Sequence, residues 1–138
     1  MARHVVRFFP NDSRGASLVE FALIAPLLMM ILLGILGYGQ YFLLAHSAQQ
    51  IANDAARATV AGMSSAERQS LAQAALTREL PNLPEVASAT LSVSESLPSV
   101  TVQVRVDASR IGLYRLNLLP MPDPTIVRSA VIQQGGVL

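Results

Sequence analysis

Glu20 is the residue with the clearest potential for chemistry. It stands at the mouth of a long apolar run, in the stretch Arg14-Gly15-Ala16-Ser17-Leu18-Val19-Glu20-Phe21-Ala22-Leu23. No Asp, Glu, Lys or Arg follows it until Asp54. An acidic side chain costs roughly 2.5–3.5 kcal/mol at the centre of a spanning helix and less near its end. A carboxylate so placed is a functional hypothesis, and it calls for a cationic partner. A simpler explanation needs no partner: the glutamate caps a helix start, where negative charge meets the positive end of the macrodipole.

Other chemistries find little support. His4 and His46 are the only histidines, and neither has a second ligand at metal spacing. Zero cysteines exclude disulfides, thiolate metal sites and thiol catalysis. The carboxylates beyond the apolar run, Asp54, Glu67, Glu79 and Glu85 among them, form no pair near a nucleophile, and no GxSxG, HExxH, P-loop or GxGxxG is present. Only 14% of residues are charged and the net charge is +1, with no basic stripe interleaved with aromatics, so nucleic acid is not an expected partner. The expectation is a protein that is not an enzyme and needs no cofactor or metal.

The elements that position Glu20 begin with a membrane helix. The chain has 138 residues and a mean hydropathy of +0.42, which suits one small domain plus a membrane segment. The run from Phe21 to Leu44 would rise roughly 36 Å as a helix, enough to span a core of about 30 Å with some tilt. Arg3, Arg7 and Arg14 precede it, while Asp54 and Arg57 balance after it. The positive-inside rule therefore keeps the N-terminus in the cytoplasm and exports the C-terminal part. Tyr38, Tyr41 and Phe42 mark the outer interface belt, and Gly34, Gly37 and Gly39 permit close approach without a GxxxG spacing. Pro26 lies inside the span, lacks a backbone donor and is a candidate helix kink. A secretory signal peptide is a rival, with a weak cleavage site at Ala45-His46-Ser47, but its apolar region would be only about 7–15 residues.

Beyond the span the pattern becomes amphipathic. Ala48, Ile51, Ala52, Ala55 and Thr59 share one helical face, so the first helix, starting near Ser13 or Arg14, continues as a stem until Gly62 ends it. Ser64 and Glu67 fit a capping box for a second helix over 65–79, with Leu71, Ala75 and Leu76 facing the core. Pro81 and Pro84 stop it. Ala89, Leu91 and Val93 alternate with polar residues, and Val100, Val102, Val104 and Val106 do so more cleanly; Leu97-Pro98-Ser99 joins the two as a hairpin. Residues 108–124 read as a long loop with Leu113, Leu116, Leu118 and Leu119 packed under it. Thr125 to Gln133 reads as a third strand, interrupted by Arg128, and Gly135-Gly136 as a frayed tail. The fold class is α+β: a long N-terminal transmembrane helix extending into an amphipathic stem, a second short helix, and a small three-stranded antiparallel sheet.

The segment "RGASLVEFALIAPLLMMILLGILGYGQYF" resembles the TadE-like pseudopilins, minor pilins of the Flp/Tad type IV pilus, over about residues 14–61. Phe21 stands where Flp major pilins typically carry tyrosine, which favours the TadE/TadG side. The resemblance implies a basic leader over 1–15, a transmembrane helix over 16–45, and a periplasmic stem and small α+β domain over 46–138. It implies processing by a prepilin peptidase between Gly15 and Ala16, with Glu20 and Phe21 completing the motif. It further implies assembly through Glu20, whose carboxylate would meet the new Ala16 amine of a neighbour. Implied partners are the prepilin peptidase, other pilin and pseudopilin subunits, the inner-membrane Tad assembly platform and the lipid bilayer, and implied roles are pilus biogenesis, adhesion and surface colonisation. The implied location is the bacterial inner membrane, with incorporation in a cell-surface pilus. The competing expectation is an uncleaved single-span membrane-anchored partner-binding protein, in which Glu20 is only a cap.

Overall fold

A charge-free run followed by an alanine-rich stripe makes one helix. The computed structural model describes residues 13–96 and 98–134. Helix α1 spans Ser13–Thr59, 47 residues and about 70 Å at the standard rise, and runs unbroken through Pro26. From Phe21 to Leu32 it is apolar all round and, apart from half-buried Ala25, exposed. From Leu33 onward one stripe turns inward, and Leu44, Ala45, Ala48, Ile51, Ala52, Ala55 and Ala56 are buried. Small alanines on that stripe let the rest of the domain approach the helix closely. Thr59 closes it, fully buried, with its hydroxyl donating to the Ala56 carbonyl at 2.6 Å. That bond satisfies the hydroxyl inside the core.

The helix ends three residues before Gly62, and no described glycine has positive φ. Gly62 is therefore not a left-handed cap. Its requirement is space: a Cβ there would lie 2.6 Å from Arg68 Cγ and 2.9 Å from the Arg68 nitrogen. Arg68 also donates to the Gly62 carbonyl at 2.7 Å, so the turn is folded tightly onto the next helix.

Helix α2 spans Ser65–Glu79. The Ser64 hydroxyl accepts from the Glu67 nitrogen at 3.2 Å, and the Glu67 carboxylate accepts from the Met63 nitrogen at 2.8 Å. This is a capping box with its return bond moved back one residue. Ala72, Ala75 and Leu76 are buried, while Leu71 is half-buried. The helix runs into a 3-10 turn, Leu80–Asn82, in whose first turn Pro81 needs no donor.

Three strands follow: β1 (Ser88–Ser96), β2 (Ser99–Asp107) and β3 (Thr125–Gln133), in the order β1-β2-β3 and all antiparallel. The first hairpin is tight, with Ser96 opposite Ser99; Leu97 lies outside the described residues. Val100, Val102, Val104 and Val106 are fully buried on the central strand. α1 lies over β2 and β3, and α2 lies over β1, so both helices cover one face of the sheet. The other face carries Ser88, Thr90, Ser92, Ser94, Thr101, Gln103 and Arg105 and stays wet, as antiparallel sheets allow. Arg128 does not break the register. It lies opposite Val104 in the helix-facing row, half-buried, and its guanidinium donates to the Val127 carbonyl at 3.0 Å.

Residues 108–124 are more ordered than a plain loop. A short helix, α3 (Gly112–Leu116), opens the segment, and Asn117 closes it in the left-handed region with φ 47°. The three prolines cannot donate, but their carbonyls are all used: Pro120 accepts from the Tyr38 hydroxyl, Pro122 from the Tyr114 hydroxyl, and Pro124 from the Ala108 nitrogen. The four leucines divide. Leu113 is buried and Leu119 half-buried, as packing under the segment requires. Leu116 and Leu118 are 54% and 57% exposed, which overturns the expectation that all four pack inward.

One ion pair ties α2 to the sheet. Arg68 Nε and Nη2 donate to Glu95 Oε1 and Oε2 at 3.0 and 3.2 Å. The hydrogen bond from Arg68, with its positive charge behind it, holds the Glu95 carboxyl below the usual carboxylate range against the opposing effect of burial. A carboxyl lowered on folding stabilises above its unfolded pKa of about 4.3 and loses that contribution as pH falls through the lower folded value. Glu95→Gln should therefore lower the urea midpoint at about pH 7 and leave it nearly unchanged at about pH 2. An equal loss at both pH values would show that the pair contributes through packing alone.

Candidate functional site

The residues singled out by their chemistry all lie in the first third of α1. Gly15, Ala16, Glu20, Phe21 and Pro26 are helical, and all five are exposed. Residues 1–12, with Arg3, His4 and Arg7, and the Gly135-Gly136 tail lie outside the described residues. Ala16 precedes Glu20 by one turn, so the two share a face with Ser17, Leu23 and Ile24. Glu20 is the only charged side chain on this helix between Arg14 and Asp54.

In the described part of α1, which runs from Ser13, the first turn holds no acidic residue. A cap effect falls off within the first turn, and Glu20 comes seven residues after Ser13. The ion pairs among the described residues, Arg68–Glu95 and Arg78–Glu79, both lie in the folded domain. A Cβ added at Gly15 would meet no atom within 4 Å, so nothing in the fold demands glycine there.

Elsewhere the surface offers shallow grooves. One of about 270 Å³ runs between α1 and the end of α2, lined by Ser47, Gln50, Asp54, Glu79 and Asn82. It brings two carboxylates near amides and a hydroxyl, with no nucleophile and base in a common hydrogen bond. Among the described residues no three His, Cys, Asp or Glu gather at metal-binding distance. His46 is exposed on α1.

One set of contacts was not evident from the sequence. Leu113 of α3 packs onto Gly37, where an added Cβ would collide with the leucine Cδ2 and lie 3.0 Å from its Cβ; Leu119 rests against Gly34. With the Tyr38–Pro120 bond, these contacts fasten the 113–121 segment to the apolar part of α1. The glycines thus serve approach within the chain. Four leucines in seven residues, too apolar for a solvated loop, were the available signal.

Helix α1 is long and apolar enough to cross a membrane by length and composition. Residues 15–57 match a family model described as TadE-like protein. The chain carries a TadE-like segment. That segment starts at Gly15 and stops two residues short of the end of α1, so what matches the family is the helix itself, while α2 and the sheet lie outside it. A TadE-like segment on a membrane-capable helix points in kind to a Tad-pilus-associated membrane protein. No curated protein matches the chain, and no solved structure does.

Proposed function

We propose that the protein is a minor pilin or pseudopilin of a Tad (Flp) pilus system, anchored in the bacterial inner membrane with its domain in the periplasm. The observation that carries this reading is the TadE-like match, which begins at Gly15 and includes Glu20. A prepilin peptidase cuts the chain between Gly15 and Ala16. Glycine costs a helix interior roughly 0.5–1 kcal/mol relative to alanine, so the backbone at Gly15 opens more readily into a protease site. The chain is the substrate of that reaction and not its catalyst.

Removal of residues 1–15 makes Ala16 an N-terminal ammonium. Glu20 then offers the countercharge to a neighbouring subunit's ammonium. Each charge alone is costly in a low-dielectric layer, and their pairing offsets that cost only when the helices sit at the right axial stagger. The pair therefore sets register between subunits. Pro26 lacks the donor for one helical bond and gives α1 a point of bending as the subunit leaves the bilayer. The domain joins other pilin and pseudopilin subunits at the Tad assembly platform, in the service of pilus biogenesis, adhesion and surface colonisation.

The test is Glu20→Ala in cells that make the pilus. Membrane insertion should be unchanged. Recovery of the subunit in sheared filaments should fall at least about tenfold, equivalent to about 1.4 kcal/mol of lost pairing. Normal recovery of the variant would contradict a register role for Glu20.

A further inference from the structure

We propose that the 113–121 segment is a second membrane-contact element, inserting Leu116 and Leu118 into the lipid interface on the domain side of the bilayer. The proposal rests on the reading of α1 as a membrane span. Height along α1 is the deciding quantity. Residues 15–32 of α1 are exposed, apart from half-buried Ala25, and the folded domain covers the helix from Leu33 onward. Those eighteen residues rise only about 27 Å. From Leu18, the first large apolar side chain of α1, a hydrocarbon core of about 30 Å needs about 20 residues and ends near Gly37.

At that level sits the 113–121 segment. Leu119 touches Gly34, Leu113 touches Gly37, and Pro120 accepts from Tyr38. Leu116 and Leu118 are the large apolar side chains that this segment leaves exposed, and Phe42 and Leu43 of α1 are 63% and 67% exposed. The segment thus presents exposed apolar side chains at the level where the span ends. Exposed Arg110 just before the segment and Arg115 within it can reach headgroup phosphates while their stems lie along apolar surface. At this level the carbonyl of Pro120 is satisfied within the chain by the Tyr38 hydroxyl, as a lipid interface favours. The lipid of the leaflet that α1 crosses is the occupant this geometry selects.

The chain has no cysteine, so one introduced thiol reports one place. Leu118→Cys, Leu28→Cys and Met63→Cys would each be labelled with an environment-sensitive fluorophore on the full chain. Each would be reconstituted in phosphatidylcholine–phosphatidylglycerol vesicles with and without lipids carrying a nitroxide on the acyl chain. Leu28 reports the span, and Met63, 90% exposed beyond the far end of α1, reports water. The proposal expects most of the Leu118 emission to be lost with nitroxide lipid, as at Leu28, with little loss at Met63. Quenching at Leu28 with Leu118 as bright as Met63 would overturn the loop proposal and leave the span standing. No quenching at Leu28 would overturn the span, and the loop proposal with it.

Discussion

Gly15→Leu should leave the chain full-length in cells whose prepilin peptidase is active, while the protein still folds and inserts. The two halves of this expectation come from different facts. In the fold, Gly15 is exposed, and an added Cβ meets nothing within 4 Å, so the substitution removes no contact. It also replaces a poor helix former with a good one, a gain of up to about 1 kcal/mol in helix propensity. Circular dichroism and the thermal midpoint should therefore match the parent or rise slightly. In the proposed reaction, the same change stiffens the bond that must leave helical geometry and places a branched side chain against the protease. Processing should fall at least about tenfold, about 1.4 kcal/mol in transition-state terms, read as the ratio of full-length to cut protein. Normal cutting of the variant would show that the site is not at Gly15.

The second large effect is on stability. Leu76→Ala should destabilise the domain by about 2–5 kcal/mol. Leu76 is fully buried, and it belongs to the cluster formed with Leu44, Ile51, Val104, Val106 and Ile126. The same cluster holds Ala48 and Ala52 of α1, too small to close the gap, and relaxation of larger neighbours is what lowers such costs. Against a typical total of about 5–15 kcal/mol, this is a large fraction. The half-buried Leu71 supplies the comparison, because Leu71→Ala leaves a smaller void. Urea unfolding of the full chain in a fixed detergent would measure both. Equal losses at 71 and 76 would mean that α2 is not docked by the face described.

Much of this fold is written locally, and the parts that are can be read from the sequence. The bounds of α2 are set by Ser64, Glu67 and Pro81, each acting within one turn. The buried row of β2 follows from strict alternation of valines. The stem face is correct residue by residue, with Ala48, Ile51, Ala52, Ala55 and Thr59 all buried. What the sequence hides depends on contacts distant along the chain. Gly62 reads as a helix stop, yet its role is to admit Arg68. Arg128 spoils the alternation of β3, but a half-buried arginine can stay in the core-facing row when its guanidinium finds a carbonyl. Gly37 reads as a point of close approach, but only the fold shows that Leu113 is what packs there. The loop leucines separate into inward and outward pairs because α3 and left-handed Asn117 turn the chain between Leu113 and Leu118, and no period in the sequence announces that turn. At the candidate site, the family match starts at Gly15 and takes in Glu20, and Glu20 lies seven residues after Ser13, outside the first described turn of α1.

The most direct test of the account is the intact mass and N-terminal sequence of the protein extracted from native membranes, with and without an active prepilin peptidase. The expected result is a chain beginning at Ala16 only when the peptidase works, and a chain retaining residues 1–15 when it does not. A chain that retains residues 1–15 in both cells would contradict the account and leave α1 as a plain membrane anchor.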